Sequence, residues 1–129
     1  MKSIIEPRIL VRALAVGVVI ELILVAVGHH NPNFKIHYGL FGAMIAAGTM
    51  GLLYARDLAR GFAKGALGGL VIGAACGVAA VGLSNVLGDE PQQFLPYGVM
   101  VLTFTGCVGG LFGQLDAWMR AFLRTQNKN

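Results

Sequence analysis

Four apolar stretches, each near the length of a membrane span, dominate this chain. They run from about residue 9 to 28, 37 to 55, 65 to 87 and 96 to 118. A transmembrane helix needs about 20 mostly apolar residues. The gaps between the stretches are short and carry breakers: Asn31-Pro32-Asn33, then Gly61, then Gly88 with Pro91. Short connections favour antiparallel neighbours. The expected fold is therefore an all-α membrane protein, a single domain over 1–129 built as an up-down bundle of four transmembrane helices.

Composition supports a lipid solvent. Apolar residues make up 56% of the chain before its 19 glycines are counted, and charged residues only 12%. Soluble domains carry about 45–50% apolar residues with glycine included, and roughly 25% charged. A net charge of +4 raises the question of nucleic acid. The basic residues cluster at the ends of apolar stretches instead of interleaving with aromatics, so no nucleic-acid partner is expected.

Charge placement predicts orientation. Lys2, Arg8 and Arg12 lie at the start of the first stretch, Arg56, Arg60 and Lys64 follow the second, and Arg120, Arg124 and Lys128 follow the fourth. Lys35 alone lies on the other side, where Asp89 and Glu90 also fall. The positive-inside rule makes the basic side cytoplasmic, with both termini there. Phe34, Tyr38, Phe94 and Tyr97 mark one interface, and Tyr54 and Trp118 the other. The short loops and clean bias point to a bacterial inner membrane. The first stretch has the outline of a secretory leader, but Glu21 interrupts it, so a retained helix is expected. The segment Ala117 to Arg124 reads as an interfacial extension of the fourth span.

Small residues recur at every fourth position. One row is Gly39, Ala43, Ala47, Gly51, Ala55, Ala59, and another is Gly65, Gly69, Gly73, Gly77. Thr103, Gly106, Gly110 and Gly113 form a third face. A four-residue step holds one helical face, and small residues there let backbones approach closely in lipid. The third and fourth spans are expected to pack through these faces. A surplus of such surface also favours docking onto other membrane subunits or copies of the same chain. A shift of 59 residues aligns Pro32 with Pro91, Tyr38-Gly39 with Tyr97-Gly98, and Asp57 with Asp116. Two duplicated helical hairpins in parallel orientation produce that pattern.

Glu21 is the main candidate for chemistry. An acidic group near the middle of a span costs about 3 kcal/mol on insertion scales and rarely faces lipid. Gly17, Glu21, Leu24 and Gly28 share a face, so Glu21 is expected to point into the bundle. Two roles fit: a proton or cation relay, or a hydrogen-bonded link to Thr49, Ser84, Asn85, Thr103 or Thr105. His29, His30 and His37 are weak candidate metal ligands, with Asp89 and Glu90 nearby, because their spacing matches no standard site. Asp57 and Asp116 are expected to pair with neighbouring arginines. Cys76 and Cys107 lie inside spans and read as small apolar packing residues.

No catalytic constellation, phosphate-cradling loop or cofactor motif is present in the sequence, so no catalytic activity and no cofactor are expected. Two functions follow as expectations. The first is a non-catalytic subunit or assembly component of a membrane complex, docking through glycine-rich faces. The alternative is a homo-oligomeric channel or proton-coupled transporter of a small solute using Glu21.

Overall fold

A computed structural model describes residues 7–89 and 91–128. The described residues form helices and short connections, with no strand among them. Helix α1 runs Pro7–His30, α2 Pro32–Leu58, α3 Phe62–Val86 and α4 Leu95–Gln126. All four are long and apolar enough to cross a membrane. Lys2 and Glu90, used above to read orientation and a metal site, lie outside the described residues.

Contacts at the two ends establish the alternation. His29, at the end of α1, and Lys35, at the start of α2, both reach Asp89 between α3 and α4. Gln114, toward the C-terminal half of α4, bonds the turn between α2 and α3. Consecutive helices therefore run up and down. Helices α2 and α3 touch each other, α4 packs on both, and α1 packs on both from elsewhere on their surface. Large apolar side chains cover the outside, among them Phe41, Met100 and Phe104, the last 71% exposed. A water-soluble bundle would bury such groups.

The tightest packing lies where α4 meets α2 and α3. A Cβ on Gly69 would run into the carbonyl oxygen of Gly106, and one on Gly73 into that of Leu102. A Cβ on Gly77 would come within 2.9 Å of Val99 Cα, and one on Gly65 within 2.9 Å of the Gly110 oxygen. From the other side, Gly106 and Gly110 face the carbonyls of Gly69 and Gly65. Gly51 of α2 meets Gly106 as well, while Gly109 faces Gly48 and Gly113 faces Leu52. Positions 106, 109, 110 and 113 form one stripe at helical spacing, set into the seam between α2 and α3. Ala43 and Ala47 are buried in the core. Gly39 has only the Lys35 side chain near it, at 3.7 Å. Ala59 leaves the row altogether, because it caps α2 in a left-handed conformation (φ 48°).

The first connection is shorter than the breakers suggest. Asn31 alone separates α1 from α2, and its side chain accepts a hydrogen bond from the Phe34 N–H at 3.2 Å. Pro32 supplies the first helical position, where its missing N–H costs nothing. A π-helical turn over Lys35–Gly39 then re-aims the start of α2. At the far end α4 continues unbroken to Gln126, with Trp118 stacked on Phe122 at 6.0 Å. The stretch from Ala117 to Arg124 is thus the end of one continuous helix, about 48 Å long at 1.5 Å per residue.

Gln114 is buried and links α4 to the end of α2 and to the turn before α3. Its amide nitrogen donates to the Ala55 carbonyl, and its oxygen accepts from the Gly61 N–H at 3.1 Å. Gly61 adopts φ 110°, a backbone conformation that L side chains rarely adopt. Gln114→Leu should leave two backbone groups without that partner and cost about 1–3 kcal/mol, read as a lowered unfolding midpoint in mild detergent. A midpoint equal to the parent's would mean that the amide contributes nothing to closing the turn.

Candidate functional site

The face of α1 that turns inward is the one its spacing picks out, with Gly17, Glu21 and Gly28 buried. Gly17 lets Cys76 and Met50 close in, their side chains lying 3.0 and 3.1 Å from where a Cβ would stand. Above this seal sits Glu21, with no solvent exposure. Neither carboxyl oxygen has a hydrogen-bond partner. Thr103 and Thr105 donate instead to carbonyls of their own helix, those of Val99 and Val101.

Glu21 lines a cavity of about 250 Å³ enclosed by all four helices. Ala43 of α2, Ala80 and Ser84 of α3, and Tyr97 and Leu102 of α4 contribute to its wall. The lining is mainly apolar, and Gly39 and Gly98 border it. Gly39 thus widens the cavity where the sequence row suggests a helix contact.

A polar cluster stands at the mouth. His29 Nδ1 lies 2.9 Å from a carboxylate oxygen of Asp89. Lys35 Nζ donates to the backbone carbonyl of Asp89. These contacts tie the α1–α2 turn to the α3–α4 connection across the opening. The three histidines do not converge. His30 bonds the Ala26 carbonyl and His37 that of Asn33, each at 2.9 Å. No group of three or more potential metal ligands occurs among the described residues. Cys76 and Cys107 are free thiols. Asp57 pairs with Arg56 at 3.4 Å and Asp116 with Arg120 at 3.0 Å, both near the opposite end of the bundle.

The cavity therefore combines an apolar wall, one buried carboxyl without a partner and a polar mouth. A buried carboxylate with no counter-charge is costly. Carrying a proton removes the charge, and a cation standing beside the carboxylate balances it. A small cation with an apolar body fits both wall and floor. The sequence singles out Glu21, offers Ser84 among its possible partners and sets Asp89 beside the histidines, but it does not pick out Ala80 or Tyr97, which reach the site only through tertiary packing. The chain matches no family model, no curated protein and no solved structure, so the reading of its function rests on this site.

Proposed function

We propose that the chain is an integral membrane protein, with both termini cytoplasmic in a bacterial inner membrane, that binds a small organic cation at Glu21 in exchange for a proton. The cavity mouth lies at the end opposite all the basic residues but Lys35, so it faces away from the cytoplasm under the positive-inside rule. On binding, Glu21 releases its proton and the carboxylate faces the incoming cation. On release it takes a proton back, and charge balances at each step. The observation that carries this reading is the fully buried, unpartnered Glu21 carboxyl at the end of a cavity with a polar mouth. Intramembrane ionisable groups of this kind mark ion and substrate pathways. Helices packed backbone to backbone leave little lumen below Glu21, so transport through to the other face fits a homo-oligomer better than a lone protomer.

Proton release on binding tests the exchange. Tetraethylammonium added to the purified protein in weakly buffered mild detergent should release protons, read by a pH dye, and Glu21→Gln should reduce the signal to that of protein-free detergent. An undiminished signal in Glu21→Gln, or no response in the parent, overturns the proposal.

A second reading makes the chain a non-catalytic subunit or assembly component. Its apolar exterior supports that role. Its small-residue rows support it less, because most of their glycines already face helices of the same chain. Gentle purification separates the two readings: stoichiometric unrelated subunits favour assembly, and a self-contained oligomer favours exchange.

A further inference from the structure

At the basic end of the bundle, a groove of about 600 Å³ separates α1 from α2. Arg8 and Arg12, one helical turn apart on α1, line it together with Arg56 and Asp57 of α2. Asp57 holds Arg56 at 3.4 Å. Arg8 and Arg12 have no ion-pair partner among the described residues, and both are exposed. From these guanidinium groups the groove continues along Val16, Met50 and Leu53. Val16 is 46% exposed, so this apolar half opens sideways onto the outer surface.

We propose that this groove holds one anionic phospholipid, its phosphate between Arg8 and Arg12 and an acyl chain along Val16, Met50 and Leu53. Charge complementarity selects the head: three arginines face a single aspartate, and guanidinium groups bind phosphate oxygens in a bidentate fork. The change from basic to apolar along one groove selects a lipid over a free anion, which would use only the arginine half. Basic pockets between helices at a membrane face bind anionic head groups in this way. The inference rests on placement in a bilayer and is independent of chemistry at Glu21.

Native mass spectrometry of the full chain, released from micelles containing equal palmitoyl-oleoyl phosphatidylglycerol and phosphatidylcholine, reads the site. One phosphatidylglycerol should be retained, about tenfold over phosphatidylcholine. The pair Arg8→Gln and Arg12→Gln should weaken that retention roughly thirtyfold. Removing equal charge at the same end, with Arg124→Gln and Lys128→Gln, should leave it intact. Millimolar inorganic phosphate should not displace the lipid. Equal retention of both lipids, the same loss from both pairs of substitutions, or displacement by phosphate would each overturn the proposal.

Discussion

Gly106→Leu is expected to prevent the bundle from assembling. Gly106 lies where α2, α3 and α4 converge. A Cβ there would run into the Gly69 carbonyl oxygen and come within 2.7 Å of Gly73 Cα and 2.8 Å of Gly73 N. These are backbone atoms of a packed helix, so no side chain can swing away. Gly51 presses on the Gly106 carbonyl from α2, which blocks retreat in that direction. Inserting a single extra carbon into a full core costs about 1–3 kcal/mol. Leucine adds four carbons and must force α3 and α4 apart along several turns. The fully folded fraction in mild detergent, followed by size exclusion and helical circular dichroism on heating, should collapse. Gly106→Ala should show a smaller drop in midpoint. Gly82→Ala is the matched control, because nothing lies within 4 Å of its Cβ position. There the helix preference for alanine, up to about 1 kcal/mol, should appear as a small gain. A Gly106→Leu variant as stable as the parent would mean that α3 and α4 do not meet through their glycines.

The number of helices and their alternation were legible in the sequence because both depend on local quantities: the length of apolar runs and the short breaks between them. The small-residue rows were legible as helix faces for the same reason. Which helix each row faces was not, because four-residue spacing defines a face without naming its neighbour. Gly48, Gly68 and Gly109 fall off the rows, yet Gly109 fills the seam against Gly48, and Gly68 makes room for the Tyr54 ring. Gly109 had a readable signal, since it stands three residues from Gly106 on the same stripe. Gln114 had none. A polar residue close to Asp116 and Arg120 looks like ordinary interface, and only the fold of α2 and α3 brings Ala55 and Gly61 to it. Asn31-Pro32 looked like loop because the same residues serve turns and helix starts. The site divides along this line. Glu21 stood out as a charge in an apolar run, whereas its cavity depends on residues from three other helices.

Glu21→Leu should raise the stability of the protein and abolish cation binding in the same step. The carboxyl is fully buried and neither oxygen has a partner. Leaving a buried polar atom unsatisfied costs about 1–3 kcal/mol, and leucine removes that penalty while nearly preserving volume. The unfolding midpoint in mild detergent should therefore rise. Tetraethylammonium, which should protect the parent against unfolding through preferential binding to the folded state, should no longer do so. Opposite movement of stability and binding is the signature of a group kept for function at the expense of the fold. A carboxyl that served as interhelical glue would behave otherwise, since its loss would lower the midpoint. Glu21→Asp separates charge from reach. It retains an acid but withdraws it by one methylene toward α1, so ligand protection should fall without vanishing. A lowered midpoint in Glu21→Leu, with ligand protection unchanged, would place the carboxyl among the structural contacts of α1 and remove the basis for exchange at this site.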